Sequence, residues 1–125
     1  MGERKVPWKE PNPELVDLLS MELQGLDCEL RKMFGSPAYF VNNNMFMGVH
    51  GEHIFMRLSQ KDRETILEER DDVSPFVPRE GRTMKEYVVF EESFLRDVEI
   101  FREWRDRSFA FVLSIPEKER KSKKR

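Results

Sequence analysis

Three patterns in the sequence predict an antiparallel-rich α+β domain of two layers, with helices mainly on one face of the sheet. Amphipathic helical spacing at each end brackets a centre of short β-rich runs. Two short Asn- or Gly-bearing linkers join runs of matched length within that centre. No βαβ unit recurs, so nothing calls for a parallel sheet. The expected order is one helix, three or four strands, a helix, one or two strands and a last helix. Of the 125 residues, 34 are Leu, Ile, Val or Phe, enough for one domain with its own core.

Residues 1–11 read as an extended arm anchored by Trp8, and 12–116 as the folded domain. Asn12-Pro13-Glu14 is a helix start: Asn caps, Pro suits the first helical position, and Glu faces the positive end of the dipole. Leu15, Leu18, Leu19 and Leu23 continue at helical spacing, predicting a helix over 13–25 that stops at Gly25. Strands are expected over 30–34, 38–42, 45–50 and 53–58, with turns at Asn43-Asn44 and Gly51-Glu52. Pairing His50 with His53, and Asn42 with Met45, places Ala38, Phe40, Met45, Met47, Val49, Ile54, Met56 and Leu58 on one core face. The opposite face then carries Tyr39, Val41, Phe46, Gly48 and Phe55, edged by Arg57 and the two histidines, His50 and His53. That face is too apolar to be merely solvated, and Tyr39, Phe46, Phe55 and Arg57 become candidate partner contacts.

Ser59-Gln60-Lys61-Asp62 resembles a capping box opening a second helix that runs to about Arg70 and packs through Ile66 and Leu67. Pro75, Pro78 and Gly81 punctuate an expected loop over 71–83. Tyr87-Val88-Val89-Phe90 predicts a returning strand over 84–91. Ser93 is expected to cap the last helix, buried through Phe94, Val98, Phe101, Trp104, Phe111 and Ile115 and ended by Pro116.

Charge is segregated along the chain. The net charge is −2, but residues 116–125 carry +4 and the first 115 carry −6. Lys118, Arg120, Lys121, Lys123, Lys124 and Arg125 are expected to make 117–125 a basic, disordered tail. An acidic body opposes nucleic-acid binding, which leaves the tail as the only route to it. No apolar run approaches the roughly 18 residues of a membrane span, and the first residues lack the apolar stretch of a signal peptide. A cytoplasmic protein without a membrane role is expected.

Little in the sequence points to catalysis. One cysteine, Cys28, excludes an internal disulfide and reads as a structural thiol. His50 and His53 flank a turn and are weak candidates for a metal, which would want a third ligand such as Glu52. Arg79, Arg82 and Lys85 either receive an acidic partner or phosphate or merely offset the neighbouring acids. With no phosphate loop, nucleophile elbow or HExxH motif, neither an enzyme nor a cofactor is expected.

Several short motifs fall in a recognisable order. Arg31-Lys32-Met33-Phe34-Gly35, Met45-Phe46-Met47, Phe55-Met56-Arg57-Leu58, Pro75-Phe76 and Gly81-Arg82-Thr83-Met84-Lys85-Glu86-Tyr87 resemble the TfoX (Sxy) N-terminal domain family. The resemblance spans roughly 12–116 and rests most on Lys32, Met33, Phe34, Gly35, Pro75, Phe76, Gly81, Arg82 and Met84. Ser36 stands where the family often has a second glycine. The resemblance implies a stand-alone member with a two-layer fold like that of YgaC-like proteins, related to secretion-chaperone-like folds. The family's namesake regulates DNA-uptake competence genes and carries a further helical domain. The function so implied is a non-enzymatic regulatory module acting through a protein partner or self-association. The alternative is a nucleic-acid-associated transcriptional or competence regulator using the basic tail.

Overall fold

The computed structural model describes residues 10–33, 35–79 and 81–117. The expected arm around Trp8, the tail from Lys118 onward and Phe34 lie outside the described residues. The element order is α1 (Pro13–Glu22), β1 (Glu29–Met33), β2 (Ser36–Val41), β3 (Asn44–His50), β4 (His53–Arg57), α2 (Gln60–Glu69), β5 (Val73–Arg79), β6 (Arg82–Phe90), α3 (Glu92–Leu95) and α4 (Val98–Ser114). The six strands form one antiparallel sheet in the order β1-β2-β3-β4-β6-β5, so the α+β class and antiparallel sheet are as expected.

Local chemistry sets the element ends. The Asn12 side chain accepts from the Glu14 N–H at 2.8 Å, and Ser59 Oγ accepts from the Asp62 N–H at 3.2 Å, so both expected helix starts are capped as read. Helix α1 ends three residues earlier than expected, at Glu22, and Gly25 takes a left-handed φ of 92° beyond it. The last helix is in fact two. Asp97, not Ser93, caps α4 by accepting from the Ile100 N–H, while Ser93 Oγ donates to Asp72. Within the expected stripe Phe94, Phe101 and Trp104 are buried, but Val98 is exposed and Val112 takes a core place instead.

The helices cover one face of the sheet. Leu19 and Leu23, Ile66, Phe94 and Leu95, and Phe101, Trp104 and Val112 meet Phe46, Met47, Val49, Ile54, Met56, Val88 and Phe90 in the main core. Buried Ser108 on α4 donates to the Arg57 carbonyl at 2.6 Å, satisfying a polar group under the helix. Glu22 at the end of α1 is buried and receives Arg102 Nε at 2.7 Å, and Arg105 Nη1 donates to the Glu22 carbonyl at 2.7 Å. Arg102 holds the Glu22 carboxyl below its ordinary pKa against the opposing effect of burial. No helix among the described residues is long and apolar enough to cross a membrane.

Two expectations about the sheet are corrected. Residues 73–79 are not a loop but the edge strand β5, because an edge tolerates Pro75 and Pro78 where bulges break the ladder at Pro75/Phe76 and Phe76/Arg79. The β2–β3 turn sits at Asn42-Asn43, with φ of 53° and 64°, and Val41 pairs with Asn44. Both central residues of such a hairpin turn need positive φ, which asparagine tolerates. A bulge then leaves Phe46 unpaired, since Phe40 opposes Met45 while Tyr39 opposes Met47.

A groove on the uncovered sheet face

The bulge exchanges the faces of β2: the slipped turn alone shifts the register by two and keeps side-chain parity, whereas one unpaired residue reverses it. Tyr39, Val41 and Phe46, expected to point outward, lie with the helix-side core, and Phe46 is fully buried with its ring edge-on to Phe109 at 5.7 Å. Ala38, Phe40 and Met45, expected inside, lie on the face that no helix among the described residues covers. Of the four expected partner contacts, Tyr39 and Phe46 are therefore not on that face, whereas Phe55 and Arg57 are. The β3–β4 register is as read, with His50 opposite His53 and Gly48 opposite Phe55.

The uncovered face carries its own aromatic cluster: Phe40, Phe55, Phe76 and Tyr87, packed with Ala38, Met45, Met84 and Val89. Phe55 lies across Gly48 and stacks on Phe76 at 4.9 Å and 10°. A methyl group at Gly48 would stand 2.6 Å from Phe55 Cζ and 2.8 Å from the Pro37 carbonyl oxygen, so glycine is what lets the ring lie flat on the sheet. Tyr87 meets Phe55 edge-on, and its hydroxyl donates to the Met45 carbonyl at 2.9 Å. Burial pushes that phenol up to about 12.

Arginines close the rim. Arg31 lies 4.4 Å above the Phe40 ring and donates to Asn43 Oδ1 at 2.6 Å. Arg57 lies 5.6 Å over Tyr87, paired with Glu86 at 2.6 Å. Each guanidinium shields an aromatic face from water while keeping its own charge at the surface.

Between these lids the face opens into a groove of about 340 Å³, lined from all six strands. Met33, Met45, Met84, Phe55 and Phe76 form its apolar walls, and His50 is the one titratable lining residue. The His50 ring sits edge-on to Phe76 at 5.2 Å and shares the groove lining with Pro78. Burial and the neighbouring His53 hold its pKa below the ordinary 6.5, so it is neutral at neutral pH.

The remaining sequence candidates are placed as follows. Glu52, the third residue of the imagined metal set, is held by the Asn12 amide at 2.7 Å. Among the described residues no group of three or more His, Cys, Asp or Glu is arranged to hold a metal ion. Cys28 is half-buried, and burial together with Asp27 raises its thiol pKa, away from reactivity. Of the motif residues, Met33, Phe76 and Met84 line the groove, Pro75 sits at a bulge of β5, and Gly35 and Gly81 take left-handed turns at φ of 84° and 79°. Lys32 and Arg82 are exposed on β1 and β6, as is Lys85. Sequence reasoning missed Phe40, Phe76, Tyr87 and Met84 as one surface. The alternation of Met84, Glu86 and Val88 against Lys85, Tyr87 and Val89 gives no clear face in β6, and the prolines hid β5 altogether.

No curated protein and no solved structure matches the chain. A family model described as the TfoX N-terminal domain matches residues 23–112, which takes in every residue that lines the groove. The chain belongs to the TfoX N-terminal domain family.

Proposed function

We propose that the chain is a non-enzymatic interaction module that receives an apolar side chain of a protein partner in the groove of its uncovered sheet face. The observation that carries this reading is the groove itself: about 340 Å³, walled by three methionines and two stacked aromatic rings, and contributed by every strand of the sheet. Methionine side chains re-pack around differently shaped guests, and stacked aromatics supply large rigid contact area. A charged metabolite would find no ionic partner on these walls, and His50 is turned to Phe76 instead of to a nucleophile. Membership of the TfoX N-terminal domain family supports a regulatory role over a catalytic one.

Selection of displayed peptides on the full chain tests the reading. Enriched peptides should share an aromatic or long aliphatic anchor, and their amide-shift perturbations should centre on Met45, Phe55 and Phe76. Met84→Glu, a half-buried wall residue, should weaken them roughly tenfold or more by placing a charge in the groove. Binding indifferent to Met84→Glu, or shifts confined elsewhere, would refute it.

The +4 charge of residues 116–125 favours a second reading, an electrostatic arm for nucleic acid. It requires duplex DNA binding that falls steeply with salt and vanishes in a chain ending at Pro116.

A further inference from the structure

The two edges of the sheet are built differently. Strand β5 carries Pro75 and Pro78 and two bulges, features that blunt an edge against further pairing. Strand β1 has no proline and no bulge, and pairs regularly with β2 along its whole length. It is also the most exposed strand of the sheet, with Leu30 52% and Met33 42% accessible. A regular edge with exposed apolar side chains is a template for another strand.

The sequence of β1, Glu29-Leu30-Arg31-Lys32-Met33, says which strand suits it. Glu29 and Arg31 oppose Phe40 and Ala38 and so lie on the uncovered face, while Leu30 opposes Tyr39 on the helix side. Two copies related by a two-fold axis perpendicular to the sheet pair antiparallel, and one residue then faces its own copy across the axis. Centring on Glu29, Arg31 or Lys32 sets like charges directly opposite one another, which is destabilising. Centring on Met33 leaves no other β1 residue paired. Centring on Leu30 places leucine against leucine on the helix side and sets Glu29 opposite the second copy's Arg31 twice on the other face. There Glu29 already meets Arg31 of its own strand at 3.0 Å, and the four charges alternate in sign. Each of these pairs is favourable.

We propose that β1 is a self-association edge, joining two copies of this chain through antiparallel β1–β1 pairing centred on Leu30 into one continuous twelve-stranded sheet. The contact is short, below the size of a standard interface, so the dimer is weak and forms with rising concentration. It leaves the groove of each copy open on the same face of the joined sheet.

Sedimentation of the full chain over a concentration series, with thermal melts to confirm folding, tests this. The wild type should show a reversible monomer–dimer equilibrium. Leu30→Lys, at an exposed position, should weaken it roughly tenfold by setting two ammonium groups face to face. Arg31→Glu should do the same by opposing carboxylates, and the exchange Glu29→Arg with Arg31→Glu should restore the dimer, a rescue that a mere folding defect would not show. A chain that stays monomeric at millimolar concentration overturns the proposal. So does a dimer that survives Leu30→Lys, or one that is lost only with the groove substitution Met84→Glu.

Discussion

The two faces of the sheet are both apolar and are closed by different means. On one face, helices α1, α2, α3 and α4 lay Leu19, Ile66, Phe94, Phe101 and Trp104 over the strands, and Phe46, Met47 and Ile54 beneath them are removed from water altogether. On the other, no helix among the described residues arrives, and the face seals itself: Phe55 lies flat over Gly48, Phe76 stacks on Phe55, and Arg31 and Arg57 roof Phe40 and Tyr87. Helix cover excludes solvent completely and commits the face to stability. Self-sealing leaves gaps between the rings, and the groove is one of them. A groove remains here because helices among the described residues pack on one side of the sheet only.

That contrast can be broken most directly at the two phenylalanines of the β2–β3 pair. Phe46→Ala should destabilise the protein by about 3–5 kcal/mol, because the helices above cannot follow the lost ring and a cavity remains. Phe40→Ala, at the rim beneath Arg31, should cost at least about 1 kcal/mol less, since water and the guanidinium can fill the space. Urea unfolding of both variants measures the difference. Equal losses would mean that the uncovered face is packed as tightly as the core, and the contrast would fail.

Gly48 sharpens it next. Gly48→Ala should cost about 1–3 kcal/mol, because the new methyl meets both the Phe55 ring and the unyielding Pro37 carbonyl. Combining it with Phe55→Leu should recover part of that loss, since a smaller side chain need not lie over the glycine. Strict additivity in the double-mutant cycle would show that the strain falls on the Pro37 backbone and that Phe55 is not held by the glycine.

How much of this was legible in the sequence depended on whether a local signal was unique. Asn12 and Ser59 are single polar residues before apolar helical runs, and both cap as read. Gly51-Glu52 is the one way to turn between His50 and His53, and that register is as read. Asn42-Asn43-Asn44 offers two turns of equal local quality, and the choice falls to burial: Asn44 becomes a buried residue whose side chain donates to the carbonyls of Asn42 and Pro116. A partner 72 residues away is invisible to local pattern. The bulge at Phe46 compounds the slip, because period-two alternation cannot anticipate a residue left unpaired. The uncovered face was therefore foreseen as apolar but populated with the wrong residues of β2, and the prolines of β5 concealed Phe76 from it.

Acid gives the smallest of these effects and again separates the faces. At the helix side of the sheet, Asp72 receives Arg70 at 2.9 and 3.0 Å and Ser93 Oγ at 2.8 Å, tying the start of β5 to α3. The Arg70 guanidinium holds that carboxyl down to about 2, from an ordinary 3.8, against burial. A folded pKa below the unfolded one means stability that is fully present above about pH 4 and is lost as pH falls towards 2. With the Asp72 side chain 14% exposed and so partly screened, the contribution is on the order of 1 kcal/mol. Glu22, clamped by Arg102 between α1 and α4, shifts in the same direction. On the uncovered face, Tyr87 is pushed up to about 12 and plays no part in acid. The lowered pKa of His50 costs stability there as pH falls through 6.5, a loss that begins at higher pH than that of Asp72. Asp72→Asn should therefore lower stability by about 1 kcal/mol at pH 7 and converge on the wild type near pH 2. A gap of the same size at pH 7 and pH 2 would place the loss in the hydrogen bonds of a neutral side chain, and the Asp72 carboxylate would no longer set the low-pH step on the helix side.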